Sequence, residues 1–222
     1  MNFLLGFALI FAVLEALALQ KDRPRLEYVA KPAVMISLFI WLWMSVGLNR
    51  ASFWFGLGIL FSLAGDILLM ISLDRLFLAG LVAFLLAHVA YIVGFNSPPS
   101  AISLWEGLMA IIIGLGAARI IRRIISPLAA KGQARLRMPI IIYSVVISIM
   151  LLSAMMKLTD VNWKSSAAVW VSAGAFLFYL SDIILAWSKF VFTIRNGRIY
   201  NIASYHLGQI ALIAGVIRQF SV

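Results

Sequence analysis

Residues 55–71 read FGLGILFSLAGDILLMI, an unbroken apolar run whose only ionisable side chain is Asp66. As a helix rising 1.5 Å per residue, a run of about this length covers most of the roughly 30 Å hydrocarbon core of a bilayer. Continuous apolarity, without alternation, argues against a strand of a membrane barrel. Reading outward, apolar segments at 2–19, 29–48, 51–71, 76–95, 102–121, 138–157, 165–186 and 199–217 predict eight transmembrane helices, spans 1 to 8. They are separated by Lys21-Asp22-Arg23-Pro24-Arg25, Leu48-Asn49-Arg50, Asp74-Arg75, Asn96-Ser97-Pro98-Pro99, a basic stretch from Arg119 to Arg137, Thr159-Asp160 and Arg195-Asn196-Gly197-Arg198.

The composition agrees with this reading. Of 222 residues, 64% are hydrophobic and 12% charged, and the mean hydropathy is +1.06. Eight spans of about 20 residues leave only short loops, so residues 1–222 are expected to form one all-α polytopic bundle with no soluble domain. The net charge of +10 does not imply nucleic acid, because the cations lie mainly between apolar segments rather than in a nucleic-acid motif. With no cysteine, disulfide and thiolate chemistry are excluded. Ala16-Leu17-Ala18 has the small-x-small form of a signal-peptidase site, but no Lys or Arg precedes the apolar stretch and Glu15 interrupts its end, so span 1 is expected to be retained.

With eight spans, the odd-numbered connections hold Lys21, Arg23, Arg25, Lys31, Arg75, Arg119, Arg122, Arg123, Lys131, Arg135, Arg137, Lys189, Arg195 and Arg198, against Arg50, Lys157, Lys164 and Arg218 on the other face. This split of 14 to 4 puts both termini outside the cytoplasm by the positive-inside rule. The compact chain suits a bacterial inner membrane.

Span 7 repeats the pattern of span 3: LFSLAGDILLM holds Asp66 and LFYLSDIILAW holds Asp182. The following spans continue the parallel, with His88 in FLLAHVAYIVG and His206 in ASYHLGQIALIAG. A four-helix offset preserves membrane direction, so this resembles a parallel 4+4 duplication. Intramembrane carboxylates are costly and normally face an interior or a water-filled cavity. On this topology Asp66 and Asp182 lie roughly 8 Å from the cytoplasmic ends of their helices. Lys31 marks the mouth of span 2, and one cytoplasmic-side pocket is expected to gather it with Asp66, Asp182, His88, Tyr91, Tyr143, Ser181, Tyr205, His206 and Gln209. Several of these also have a plainer role: Ser181, Tyr143 and the histidines, like Ser62, as interhelical hydrogen-bond partners, and Lys31 as a snorkelling cation. The pairs Gly56 with Gly58, Gly114 with Gly116, and Gly174 with Ala175 read as sites of close helix packing.

Two Asp and two His are metal-ligand types, but no H-x-x-x-H or HExxH spacing is present, and no metal or cofactor is expected. G-x-S-x-G, a P-loop and a dinucleotide fingerprint are likewise absent. The residues by themselves leave open a proton-coupled small-molecule or lipid transporter using the Asp66 and Asp182 pair, and a structural or lipid-binding protein.

The chain resembles the YhhN, or transmembrane lysoplasmalogenase, family. The likeness rests on Lys31-Pro32, Gly65-Asp66, Ala87-His88 with Tyr91, Tyr143, Gly174-Ala175 with Ser181-Asp182, and Tyr205 with Gln209, in order along nearly the whole chain. It implies hydrolysis of the vinyl ether of lysoplasmalogens, releasing a fatty aldehyde and glycerophosphoethanolamine or glycerophosphocholine. On this resemblance Asp66, Asp182 and His88 are the expected catalytic groups, and Lys31, Tyr91, Tyr143, Ser181, Tyr205, His206 and Gln209 the substrate contacts. The lysophospholipid substrate and the surrounding membrane lipids are the expected partners.

Overall fold

The computed structural model describes residues 2–99 and 104–221. The start of predicted span 5, at 102, and the side chain of Arg50 lie outside the described residues. Eight helices follow in order: α1 Asn2–Gln20, α2 Pro24–Val46, α3 Arg50–Ile71, α4 Phe77–Phe95, α5 Leu104–Ile125, α6 Arg137–Met155, α7 Ser165–Phe190 and α8 Gly197–Phe220. Short 3₁₀ turns cover Ala134–Leu136 and Met156–Leu158. Among the described residues there is no strand, and the chain is an all-α polytopic membrane protein.

Several boundaries shift by three to five residues from the reading of hydropathy, and those of α2 and α5 reassign charged residues. Helix α2 begins at Pro24, five residues before the predicted span, because proline is favoured in a first helical turn and the charged residues after it are tolerated there. This places Glu27 and Lys31 on one helix, a turn apart, where hydropathy had marked a loop and a mouth. Arg119, Arg122 and Arg123 belong to the end of α5 rather than to a loop, where cations oppose the negative end of the helix dipole.

Among the described residues six helices, α1 to α4, α6 and α7, are long and apolar enough to cross a membrane. Helix α5 carries a basic last turn, and α8 carries Asn201, Ser204, Tyr205, His206 and Gln209. The polarity of α8 follows from its position. Ser204, Tyr205, His206 and residues 208–217 are all buried, so protein rather than lipid surrounds most of this stretch and its polar groups meet partners. It packs on α7, α1, α2 and α3.

The α7–α8 contact depends on missing side chains. A Cβ at Gly208 would lie 2.8 Å from the backbone N of Phe178, and one at Gly215 2.8 Å from that of Val171. Gly174 faces the same seam, as its sequence context suggested. Gly114 and Gly116 differ: a Cβ on either would meet nothing within 4 Å, and Ile111, Ile112 and Leu115 beside them are exposed. They form no close contact with the described residues.

The 4+4 duplication is not confirmed. Its pairs α3–α4 and α7–α8 are both intimate, and α1 packs on α8. The equivalent of that last contact would join α5 to α4, but α5 packs instead on α6 and α7. The two histidines also engage unlike partners.

Candidate active site

Asp66, about a turn and a half before the end of α3, has two partners. The Lys31 ammonium of α2 lies 3.2 Å from its Oδ1, and the Tyr205 hydroxyl of α8 donates to its Oδ2 at 2.7 Å. The carboxylate is 1% exposed, a position in which a charge is tolerable only with such pairing. Lys31 is itself mostly enclosed, so it serves Asp66 rather than the membrane surface.

Asp182 of α7 has a different environment. The Tyr143 hydroxyl of α6 donates to its Oδ2, and His88 Nε2 of α4 lies 3.0 Å from that hydroxyl and 3.6 Å from the same carboxylate oxygen. The Ser181 hydroxyl is 3.3 Å from Oδ1 and 2.8 Å from the Phe178 carbonyl. Asn201 of α8 donates to the Ser181 carbonyl at 2.8 Å, tying this turn of α7 to α8.

Both carboxylates line one cavity of about 460 Å³. Its inner wall holds Lys31, Asp66, Ser181, Asp182, Asn201 and Tyr205, and its rim holds Glu27, Ser72, Lys189 and Arg198. These rim residues belong to the face bearing the basic connections. A second, narrow and almost wholly apolar pocket of about 70 Å³ runs among α4, α5, α6 and α7, lined by Phe77, Leu81, Ile121, Ile140 and Ile183 among others. Tyr143 lines this slot, and Asp182 lines both spaces. The carboxylate at the junction thus faces an apolar tunnel on one side and a polar chamber on the other.

The single pocket expected from the sequence is smaller in membership. Tyr91 and Gln209 form a layer beneath the chamber, with Tyr91 donating to Gln209 Oε1 at 2.8 Å and Gln209 donating to the Ser62 hydroxyl at 3.0 Å. Both are fully buried and line neither space. His88 stands behind the Tyr143–Asp182 pair. His206 turns away to Glu15 of α1, another fully buried carboxylate, although it shares a helix face with Gln209. The cause is ordinary hydrogen-bond satisfaction, because each buried polar group takes the nearest helix that offers a partner. Among the described residues, no three His, Asp or Glu side chains are grouped to hold a metal.

Tyr91→Phe checks the layer assignment. It leaves Gln209 Oε1 without its donor and is expected to cost about 1–3 kcal/mol in thermal or denaturant unfolding. If Tyr91 instead faced the chamber, phenylalanine would have little effect on stability.

Sequence reasoning passed over Glu15, Glu27, Lys189, Arg198 and Asn201. Arg198 meets Glu27 at 2.6 Å on the rim. Lys189 donates to Asp74 at 2.7 Å and holds its carboxyl below the usual carboxylate range. The stabilisation from that pair is full above the ordinary carboxylate pKa, disappears as pH falls past the depressed value, and is small at so exposed a site.

Fold and site together define a multi-pass membrane protein with two carboxylates on the wall of a half-enclosed chamber beside an apolar slot. The chain belongs to the YhhN family, which matches it over residues 26–216. It is similar to lysoplasmalogenase TMEM86B of Mus musculus, with 27% identity over 190 residues covering 85% of this chain and 74% of the mouse protein. Lysoplasmalogenase TMEM86B of Rattus norvegicus is 25% identical over 190 residues, covering 85% and 71% of the two chains. No solved structure matches.

Proposed function

We propose that this protein hydrolyses the vinyl ether bond of lysoplasmalogens within the membrane, releasing a fatty aldehyde and a glycerophospho headgroup. The observation that carries the reading is Asp182 at the junction of slot and chamber. A single-chain lipid has the same division: an apolar chain, a reactive ether and a polar headgroup, in that order. Seating the chain in the slot keeps it out of water and delivers its first carbons to Asp182. The names of the mouse and rat relatives support the substrate class.

The chemistry needs a proton on the alkene carbon distal to oxygen, which creates an oxocarbenium ion, and then a water at the carbon attached to oxygen. The resulting hemiacetal breaks its bond to the glycerol oxygen, giving aldehyde and a free hydroxyl. The division of labour is that of glycoside hydrolysis, with one carboxylic acid and one carboxylate. Asp182 acts as the acid in this proposal, because the alkene emerges from the slot beside it. Asp66 serves as the carboxylate, tied to Lys31 as an anion and facing the chamber from which water arrives. Tyr143 and His88 hold the acid's orientation and provide a hydrogen-bonded path for its reprotonation. Tyr205 orients Asp66.

Secondary transporters commonly bind substrate at the bilayer midplane between broken helices. Helices α2 to α8 each run unbroken through the described residues. Orientation follows the charge split, with both termini outside the cytoplasm and the chamber opening toward the basic, cytoplasmic face of a bacterial inner membrane.

The test is aldehyde release by the purified, lipid-reconstituted protein from a vinyl-ether lysophospholipid, beside its saturated-ether and ester analogues. Aldehyde is expected only from the vinyl ether. A folded preparation that releases none refutes the hydrolase reading, and proton-coupled lipid flux in the same vesicles would establish the transporter in its place.

A further inference from the structure

The rim of the chamber carries a pair that the proposed chemistry does not use. Glu27 of α2 and Arg198 of α8 are joined at 2.6 Å, with Arg198 67% exposed and Glu27 9%. Glu27 precedes Lys31 by one turn, so it stands roughly 6 Å outward along the same wall. Arg198 precedes Asn201 and Tyr205 on the lining face of α8 and stands roughly 10 Å outward of Tyr205. Two opposite charges therefore sit side by side at a set height above the carboxylates.

At ordinary bond lengths, roughly 7 Å separates the vinyl ether carbon of a lysolipid from its phosphorus, and roughly 11 Å separates it from a headgroup nitrogen. With the ether beside Asp182 and Asp66, phosphate and amine reach the height of the rim pair. The other rim cation is already committed: Lys189 is held by Asp74 at 2.7 Å and by the Leu73 carbonyl at 3.3 Å. Lys31 is held by Asp66. Arg198 is the cation with its guanidinium largely in water, and a planar fork suits phosphate oxygens.

We propose that Glu27 and Arg198 form a headgroup subsite for a zwitterionic phosphoethanolamine. Arg198 exchanges the Glu27 carboxylate for the phosphodiester, and Glu27 takes the primary ammonium that Arg198 leaves unmatched. The exchange conserves ion pairing on both sides. It also discriminates. A primary ammonium donates hydrogen bonds to a carboxylate, whereas the quaternary ammonium of choline donates none and is recognised best by aromatic faces. The aromatic residues lining the chamber are Phe84 and Tyr205, and Tyr205 lies at the inner end beside Asp66, away from Glu27. A headgroup with phosphate but no amine leaves Glu27 facing anionic oxygens.

This inference rests on the lysolipid reading, and the test separates the two. Saturated-ether lysophospholipids bearing ethanolamine, choline or no amine are titrated into the reconstituted protein, with binding read by intrinsic tryptophan fluorescence, so no turnover is needed. The wild type is expected to bind the ethanolamine lipid on the order of tenfold more tightly than the choline lipid. Glu27→Gln should bring that ratio close to one. Arg198→Gln should weaken both amine-bearing lipids by on the order of tenfold. Arg198→Lys should restore part of the affinity, which a fold defect would not allow. An ethanolamine-to-choline ratio that is the same in wild type and Glu27→Gln overturns the subsite, even if aldehyde release is found. Selective binding lost in Glu27→Gln upholds it, even if no aldehyde is formed and the reaction assignment fails.

Discussion

Asp182→Asn is expected to lower kcat for aldehyde release by about 10²- to 10⁴-fold, the usual contribution of a positioned general acid. Asparagine keeps the size of the side chain and retains an oxygen to accept from Tyr143, so the packing among α4, α6 and α7 has no reason to change. It cannot deliver a proton to carbon. The lysolipid should still enter, because the slot is lined by apolar side chains that the substitution leaves in place. Loss of kcat with little change in KM is the expected signature of a group that acts mainly in the transition state. Asp66→Asn is expected to lower turnover strongly as well, with a complication that Asp182 lacks. It leaves the Lys31 ammonium enclosed without its counter-charge, a change that costs several kcal/mol at buried pairs, so its activity must be compared at matched folded fraction. Near-normal turnover in both variants would refute the two-carboxylate mechanism.

The contrast between the two aspartates was only half legible in the sequence. Both stood out because a carboxylate inside an apolar run is costly, and the repeated motif suggested that they were equivalent. Their partners make them unlike, and partners come from helices distant in sequence: Lys31 and Tyr205 for one, Tyr143 and His88 for the other. Helical spacing reports which residues share a face but not which helix that face meets. His206 and Gln209 show the difference, since they lie three residues apart, yet His206 reaches α1 and Gln209 reaches α3 and α4. Glu15 was visible as an ionisable residue in an apolar run, yet it was weighed only against a cleavage site and not as a partner for a buried histidine. The rim was hidden for another reason. Hydropathy ended span 2 at its charged residues, whereas the helix continues through them to Pro24, and only as part of that helix does Glu27 reach Arg198. The helices themselves were legible because bilayer thickness fixes their length and lipid fixes their composition. Helix α8, largely shielded from lipid, departs furthest from a pure apolar run and supplies five lining residues of the chamber, Arg198, Asn201 and Tyr205 among them.

Gly174→Ala is expected to destabilise the folded protein by about 2–3 kcal/mol, although alanine is the better helix former. The new Cβ would stand 2.7 Å from the Gly208 carbonyl oxygen and 2.8 Å from the Leu212 Cα, both backbone atoms of α8. A side chain can rotate away from such a contact, but a helix backbone must move as a unit. In a membrane, where apolar burial gives little drive between helices, close backbone approach is a main source of helix association. Separating α7 from α8 also reaches the site, because Asp182 and Ser181 ride on one helix and Tyr205 and Asn201 on the other. The Asn201 bond to the Ser181 carbonyl spans the same seam, and its loss should lower turnover along with stability. Gly116→Ala is the matched control on α5, where the added Cβ meets nothing, and little change or a small gain is expected. Thermal unfolding of both variants in the same lipid or detergent makes the comparison. Equal stability of the two would mean that α7 and α8 do not approach through their glycines, and the placement of both carboxylates around one chamber would lose its structural basis.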